Sequence, residues 1–404
     1  MSKFPKTEGG NDMLPDQIAA AMTGVLRPVD EGREEAFLPS PVVQNHASFL
    51  AGLPDGRVLM AWFGGSLEGK SDICIRGAVL APGADRWGPV ATLSDDPAQS
   101  EQNPVLFPAP DGRLWLIHTS QPAGNQDECR VRMVELHVEG SEIRAGQGRW
   151  LDLPRGSFVR AAVTVLADGG WMLPLFRCVS RPGQRWTGSH DVAALAISHD
   201  QGATWRYDEI PGSTGCVHTC PIASGEGYVA LFRRRQSDEV HVTRGDASGR
   251  VWSVPVATGV PNNNSSVAAT RLADGRIAMI CNPVNAQMSQ SRRASLYDEL
   301  GEEDDRPDAA TEGGCVPVWG VERAPVALCL SEDEGASFPV RYLVEDGPGT
   351  CLSNNSEDGR NFEMSYPWIH EAAGGVLHLS YTYHRRAIKH LRLAPGWEAR
   401  LPRL

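Results

Sequence analysis

The chain has 404 residues, of which 41% are hydrophobic, and its formal net charge is −12. That length supports a large core, whereas the negative charge makes nucleic acid and anionic membranes poor partners. The 42 glycines favour many short strands joined by turns over long helices. No apolar run approaches the length of a transmembrane helix, so we expect no membrane contact.

The first 30 residues are predicted to form an extension (1–30) with a short helix in "PDQIAAAMTGVL" that packs outside the main domain or frays. The opening "MSKFPKTEGGNDMLPDQ" lacks the apolar core of a secretory signal. The nine cysteines are scattered and odd in number, which is typical of free thiols in a reducing compartment. We therefore expect a cytoplasmic protein.

One strand–turn–strand pattern recurs along the chain, first in "ASFLAGLPDGRVLMAWFGG" and next in "PVLFPAPDGRLWLIHTS". Its six turns lie at Asp55, Asp111, Asp168, Glu226, Asp274 and Gly374. Strand repeats with a period of about 50 residues are typical of propellers, whose blades bury their faces against their neighbours. We therefore predict an all-β, six-bladed β-propeller of four-stranded blades over residues 31–404. A pair of β-sandwiches would not explain one hairpin repeated at a steady spacing.

The longest interval between turns holds an insertion at about residues 287–320. Its segment "YDELGEEDDRPDAATEGG" is acidic and shows no apolar period, which is typical of a solvated loop. A lid over a site is the alternative.

Polar, charged and aromatic residues recur at one end of the repeats. Because the first strand of a blade is innermost, its start and the end of the second strand lie around the central opening, called here the mouth. The residues predicted there are His46, Glu68, Asp72, Asn103, Arg160, Arg177, His218, Arg234, Asn264, Tyr366 and Arg385. Arginine binds carboxylates in a bidentate way, so we expect a small-molecule or oligosaccharide anion as the substrate.

Several of these residues also have a purely structural interpretation. His46 could cap a strand, Tyr366 could belong to the core, and Glu68 and Asp72 could be solvated loop acids. Cys216, His218 and Cys220 alternate along one strand and do not complete a tetrahedral ligand set, so we predict no metal. No phosphate-binding glycine motif follows a strand, so we predict no cofactor.

Two segments carry a known turn signature. "SHDQGATW" (198–205) fits the pattern S-x-D-x-G-x-T-W, "SEDEGASF" (331–338) is a close variant, and "GDASGRVW" (245–252) is a degenerate copy. They resemble the Asp-boxes of the sialidase superfamily. From about residue 40 to 393 the chain is similar to a sialidase-like subgroup of BNR-repeat proteins. The resemblance implies a propeller of the sialidase type, in which Asp200 and Asp333 stabilise turns and are not catalytic.

The resemblance also implies roles at the mouth. In sialidases a tyrosine of the last blade is the nucleophile, an aspartate is the acid/base and three arginines bind the carboxylate; "SYPWI" and "EGKSD" place Tyr366 and Asp72 at matching positions. The Arg-Ile-Pro opening is replaced by "NHASF", and related propellers that act on rhamnose–glucuronate linkages use a histidine at the mouth as acid/base. We therefore expect His46, Asp72 and Tyr366 to be catalytic and the other residues of the mouth to bind substrate.

Three functions remain open from the sequence. The leading hypothesis is an enzyme that cleaves a glycosidic or related C–O bond in an anionic sugar-type substrate by acid/base catalysis. The second is a lyase or isomerase of a small intracellular carboxylate. The third is a non-catalytic carbohydrate-binding propeller, which would show aromatic platforms instead of a titratable cluster.

Overall fold

The computed structural model contains six β-sheets, and strands of successive sheets contact one another in a closed ring. It describes residues 13–94, 96–122, 126–225, 227–293, 306–347 and 363–404. The turn predicted at Glu226, the first 12 residues of the extension and residues 294–305 of the insertion lie outside these ranges. The predicted all-β, six-bladed propeller is confirmed.

The amino-terminal part joins the last blade. Helix α1 (Pro15–Ala21) starts with proline and has Asp16 in its first turn, both of which favour a helix start. Strand β1 (Arg27–Asp30) pairs with β2 (Arg33–Phe37), and β2 pairs with the third strand of the last blade. A strand from the start of the chain thus closes the ring.

The other strands form the blades in chain order. Blade 1 consists of β3 (Gln44–Gly52), β4 (Val58–Gly65), β5 (Cys74–Leu80) and β6 (Ala91–Thr92). Blade 2 consists of β7 (Ser100–Pro108), β8 (Leu114–Gln121), β9 (Arg130–Glu139) and β10 (Glu142–Trp150). Blade 3 consists of β11 (Ser157–Val159), β12 (Thr164–Val165), β13 (Trp171–Arg177), β14 (Val192–Ser198) and β15 (Arg206–Glu209).

Blade 4 consists of β16 (Cys216–Ser224), β17 (Gly227–Arg234), β18 (Glu239–Gly245) and β19 (Val256–Pro261). Blade 5 consists of β20 (Ala268–Arg271), β21 (Ile277–Cys281), β22 (Val326–Ser331) and β23 (Val340–Glu345). Blade 6 consists of β24 (Trp368–Ala372), β25 (Val376–Tyr383) and β26 (Ala387–Leu393), with β2 and β1 outside them. Short 3-10 helices lie at Gln126–Glu128 and Trp397–Ala399.

Local side-chain chemistry explains the repeated turns. The backbone N–H of Arg57 donates to Asp55 at 3.1 Å, and Gly56 between them has a φ of 85°, which glycine adopts without strain. The turn at Asp111 repeats this arrangement through Arg113. These turns join the first and second strands of their blades, so the spacing of Asp-Gly in the sequence is the spacing of the blades.

The Asp-boxes also form turns, between the third and fourth strands of their blades. Asp200 accepts the backbone N–H of Thr204 at 2.8 Å and the hydroxyl of Ser198 at 2.7 Å. The Trp205 indole donates to the Gly202 carbonyl at 2.9 Å. Asp333 accepts the corresponding backbone N–H in blade 5, from Ser337, at 2.9 Å. Both aspartates therefore act in turn structure.

The described part of the insertion packs on blades 3 and 4. The Arg185 N–H donates to the Pro307 carbonyl at 2.8 Å, and the Arg185 guanidinium pairs with Asp308 at 2.6 Å. The Cys315 N–H donates to the Ser189 carbonyl at 2.8 Å. Composition favoured a solvated loop, but residues 306–323 are held by backbone hydrogen bonds that an acidic composition does not reveal.

Two further findings concern the chain as a whole. The eight cysteines in the described ranges are free thiols. No helix within those ranges is long and apolar enough to cross a lipid bilayer.

Candidate functional site

A left-handed residue recurs at the mouth end of five blades. Ala47, Asn103, His218, Asn264 and Tyr366 have φ angles of 50° to 56°, which are uncommon for residues other than glycine. In blades 1, 2 and 4 this residue lies where the register between the first two strands shifts, so it forms a β-bulge. Bulges redirect side chains and are over-represented next to active sites.

Tyr366 lies at the centre of the site and is 8% exposed. Its ring is 4.3 Å from the ring of His46 and 5.4 Å from that of His218, measured between centroids. Three guanidinium groups lie within 5.4 to 5.7 Å of its ring centroid, those of Arg160, Arg233 and Arg323. The phenol of Tyr366 therefore lies in a cationic environment.

Arg233 binds the phenol oxygen directly. Its Nη1 donates to Tyr366 Oη at 2.6 Å and also faces His218 Nε2 at 3.4 Å, and its Nε donates to Asn264 Oδ1 at 2.8 Å. Arg233 is buried and has no carboxylate partner in the described part of the chain. Burial lowers its pKa to about 10, which leaves it charged at neutral pH.

Both imidazoles beside Tyr366 are buried and neutral. Burial and the charge of Arg385 hold the pKa of His46 well below its usual range, and burial and Arg233 do the same for His218. His46 Nδ1 lies 2.8 Å from Thr382 Oγ1, while its Nε2 has no hydrogen-bond partner among the described residues. Because arginine only donates, His218 Nε2 accepts, and its unpartnered Nδ1 carries the proton.

A buried carboxylate balances part of this positive charge. Glu363 Oε1 accepts Nε of Arg385 at 2.8 Å and Nη1 of Arg323 at 2.9 Å, and lies 4.0 Å from His46 Nδ1. Burial opposes its ionisation, but Arg385 and Arg323 outweigh that cost and hold its pKa well below the usual range. Arg385 also pairs with Glu68, so the predicted residues Glu68 and Arg385 join this network.

The Arg160 side chain points towards the central axis, and its guanidinium donates hydrogen bonds to other protein groups. Its Nη1 donates to the Ser48 carbonyl at 3.0 Å, its Nη2 to the Tyr366 carbonyl at 3.0 Å and its Nε to the Ser266 hydroxyl at 3.2 Å. It thus connects blade 3 with blades 1, 6 and 5. This contact set makes Arg160 a support of Tyr366, in contrast to the anion-binding role predicted for it.

Three predicted residues are not brought to Tyr366. Arg177 is the last residue of β13. Side chains alternate between the two faces of a strand, and the Arg177 side chain is partly exposed and pairs with Glu209 at 3.7 Å. Arg234 likewise points away from its neighbour Arg233 and pairs with Asp238 at 3.3 Å. Asp72 is exposed and accepts the N–H and hydroxyl of Ser66 within its own loop.

Asn103 takes the bulge position in blade 2 and is 6% exposed. Its Oδ1 is buried and has no partner among the described residues, so it can still accept a hydrogen bond. No cluster of three or more histidine, cysteine, aspartate or glutamate side chains within the described ranges could hold a metal ion.

A family comparison identifies the architecture. Residues 56–379 match the model of the BNR repeat-like domain. The chain belongs to the BNR repeat-like family. A search among curated proteins gives no match.

Solved structures share the propeller fold of this BNR repeat-like chain. The Hadza microbial sialidase Hz136 has a TM-score of 0.64 at 11% identity, over 88% of this chain and 66% of that one. A protein of unknown function from Dyadobacter fermentans has a TM-score of 0.61 at 13% identity, over 92% and 98%. Trypanosoma rangeli sialidase in complex with the inhibitor DANA has a TM-score of 0.60 at 12% identity, over 94% and 59%. The chain thus spans about two thirds or less of the two sialidases, and the likeness concerns the fold.

Sequence reasoning missed several residues of this BNR repeat-like site. Arg323 and Glu363 precede strands without any motif, and Thr382 lies within β25. Only the run Arg233–Arg235 signalled an inward arginine, and the alternation of strand faces left open which member it was.

Proposed function

We propose that the mouth is the active site of an enzyme that cleaves a glycosidic or related C–O bond in an anionic sugar-type substrate. One observation carries the proposal: the phenol oxygen of Tyr366 receives an N–H at 2.6 Å from a buried arginine that has no carboxylate partner among the described residues. It lies between two imidazoles that each have one ring nitrogen without a hydrogen-bond partner in the described structure. Groups that bind anions and groups that move protons meet there within contact distance.

The cationic side of the site supports binding of a carboxylate. Arg233 is charged and lacks an acidic partner in the described ranges, so a substrate carboxylate would complete its electrostatic environment. Arg323 lies on the same side, 5.6 Å from the Tyr366 ring. The solved structures include sialidases, one of them bound to sialic acid, and this supports a sugar acid as the ligand class.

The uncharged side of the site supports proton transfer. The Arg233 N–H stabilises negative charge on the phenol oxygen, which Tyr366 needs in order to act as a base or a nucleophile. His46 is neutral, and its buried Nε2 has no hydrogen-bond partner among the described residues, so it would accept a proton or a hydrogen bond from a substrate in the mouth. Asp72 remains a candidate acid/base only if its exposed loop meets the substrate.

The environment of the phenol favours elimination. No carboxylate contacts the Tyr366 hydroxyl in the described part of the chain; its partner is Arg233. An arginine-bound carboxylate acidifies the adjacent carbon, so Tyr366 as a phenolate would remove that proton and, as the phenol, return it to the leaving oxygen. The bond to the leaving oxygen breaks as the carbon–carbon double bond forms, and no water is consumed.

Glycoside hydrolysis is the second candidate, with Tyr366 as the nucleophile. The position of Tyr366 in the last blade and the likeness to sialidase structures favour it. In this route Tyr366 attacks the anomeric carbon as a phenolate, Asp72 would supply the proton to the leaving oxygen, and water later releases the sugar from Tyr366. The two routes differ in product, because only elimination leaves an unsaturated sugar acid.

Turnover of uronate oligosaccharides and sialosides tests the proposal. We expect wild-type protein to release product and Tyr366→Phe to lose turnover by about 10² or more, the range for loss of an acid/base group. Tyr342→Phe is the matched control, since it removes a buried hydroxyl of blade 5 that makes only a 3.5 Å contact with Glu398. An ultraviolet-absorbing enoate indicates elimination, and new reducing ends without it indicate hydrolysis. Binding of these sugars with no turnover in wild type would contradict the enzyme proposal and support a binding propeller.

A further inference from the structure

Asn264 connects the insertion with the reacting phenol. Its Oδ1 accepts Nε of Arg233 at 2.8 Å, and its Nδ2 donates to the carbonyl of Val318 at 3.0 Å. Arginine only donates and a carbonyl only accepts, so the orientation of this amide is fixed. Both ends of the side chain are therefore occupied by protein groups, in contrast to the substrate-binding role predicted for Asn264.

Val318 is the point at which the insertion attaches to the mouth. Its N–H donates to the Arg235 carbonyl at 2.7 Å, and its carbonyl also accepts the Ser237 hydroxyl at 3.0 Å. The following Trp319 packs over the Arg235 guanidinium at 5.0 Å. The insertion then returns to Tyr366 through Arg323, which lies 5.6 Å from the phenol ring.

The preceding asparagine holds the same segment at a second place. Asn263 Nδ2 donates to the Glu322 carbonyl at 2.8 Å, while its Oδ1 accepts the Ser265 N–H at 3.1 Å. The run "NNNSS" thus binds the insertion twice, but only Asn264 also contacts Arg233. Substitutions of Asn263 and Asn264 can therefore distinguish attachment of the insertion from positioning of Arg233.

We propose that Asn264 is a positioning residue that couples the seating of residues 315–323 to the placement of Arg233 on the Tyr366 hydroxyl. When the segment is seated, the amide holds Nε of Arg233 and thereby aims Nη1 at the phenol. When the segment lifts, the amide loses the partner that fixes its orientation, and Arg233 loses its support. The insertion in this way regulates the site, and the kinetic part of this inference rests on the proposed function.

The charged and titratable side chains that face the Tyr366 phenol come from three blades and the insertion. They are His46 of blade 1, Arg160 of blade 3, His218 and Arg233 of blade 4, and Arg323 of the insertion. Asn264 contacts only Arg233 among these five in the described structure.

The test is Asn264→Gly, which removes both hydrogen bonds and suits the φ of 54° at this position. Asn263→Asp is the matched control, since it releases the Glu322 carbonyl and keeps Asn264 and Arg233 intact. The rate of hydrogen exchange in the peptide covering 315–323 measures how firmly this segment is packed on the propeller. Steady-state kinetics with the uronate oligosaccharides measure the effect of the placement of Arg233 on turnover. We expect Asn264→Gly to raise exchange and to lower both kcat and kcat/KM about tenfold or more, the scale of a lost buried hydrogen bond to a charged group. Asn263→Asp is expected to raise exchange with kcat kept within about twofold.

Coupling is reciprocal, which supplies a test independent of turnover. Arg233→Gln removes the Nε donor from Asn264 and should also raise exchange of 315–323, whereas Arg234→Gln should leave it unchanged. Unchanged exchange in Arg233→Gln, or an equal fall of kcat in Asn264→Gly and Asn263→Asp, would overturn the inference. If wild type turns over no sugar, the proposed function fails, while the exchange comparison still decides whether Asn264 couples the two.

Discussion

Arg160→Met is a direct perturbation of the propeller axis. Methionine keeps an unbranched apolar stem but removes four hydrogen bonds, to the carbonyls of Ser48, Tyr366 and Pro367 and to the hydroxyl of Ser266. These acceptors belong to blades 1, 6 and 5, so one substitution loosens contacts between blade 3 and three other blades. The Tyr366 carbonyl is among them, and Tyr366 holds a left-handed backbone conformation that needs support from its surroundings.

Two opposing contributions set the change in the free energy of unfolding that Arg160→Met causes. The three shorter of these hydrogen bonds, at 3.0 to 3.2 Å from a charged donor, stabilise the folded state by about 1.5 to 3 kcal/mol each, or about 4.5 to 9 kcal/mol together. Burial lowers the pKa of Arg160 from 12.5 to about 10, and at about 1.4 kcal/mol per pKa unit the buried charge costs about 3 kcal/mol. Removing the arginine loses the first contribution and recovers the second, so we expect the free energy of unfolding to fall by about 1.5 to 6 kcal/mol.

Urea unfolding, followed by tryptophan fluorescence and circular dichroism, measures this change. Arg177→Met is the control, because Arg177 is partly exposed and the substitution should change the free energy of unfolding by less than about 0.5 kcal/mol. Turnover should fall in Arg160→Met and not in the control, since Tyr366 loses its main-chain support. An Arg160→Met protein as stable as wild type would refute the assignment of Arg160 as a support of the axis.

Three further predictions follow from the same contacts. Arg233→Gln should lower kcat/KM by about 10² or more, as for loss of one preorganised donor, whereas Arg234→Gln should stay near wild type in the same sugar-cleavage assay. His378 has a pKa of about 3 through burial, and its Nδ1 lies 3.0 Å from His390 Nε2. The unfolded chain therefore binds a proton below about pH 6.5 that the folded chain does not, so stability should decrease as pH falls from about 6.5 towards 3, by up to about 1.4 kcal/mol per pH unit. In pH-dependent urea unfolding His378→Gln should flatten this slope, and an unchanged slope would contradict the assignment. Asp200→Ala should lower the urea concentration at the midpoint of unfolding with turnover unchanged, because Asp200 only holds a turn; loss of turnover at full stability would contradict this assignment.

Local chemistry explains why the fold could be predicted from the sequence. An Asp-Gly turn is specified by the two residues that form it, so each copy marks a blade regardless of the rest of the chain. Closure by β2 depends instead on pairing between Arg33–Phe37 and β26, more than 350 positions away in sequence. No local pattern in "REEAF" predicts that partner.

The site could be predicted only in part. Counting back from each turn located Asn103, His218 and Tyr366, because the left-handed residue of these blades lies eight positions before the turn. The choice between Arg233 and Arg234 depends on which face of β17 points inward, and three consecutive arginines carry no apolar alternation that would show it. Arg323 and Glu363 meet across sheets from irregular segments, a contact that only the folded chain defines.

The central claim is that the mouth binds a sugar acid over Tyr366. A crystal structure of the protein soaked with a uronate oligosaccharide, using inactive Tyr366→Phe to keep the ligand intact, tests it most directly. We expect the sugar carboxylate on the Arg233 guanidinium and a glycosidic oxygen within hydrogen-bond distance of His46 Nε2. A sugar bound only away from residues 46, 233 and 366, or a mouth that takes up no sugar at concentrations that saturate binding in solution, would contradict the claim.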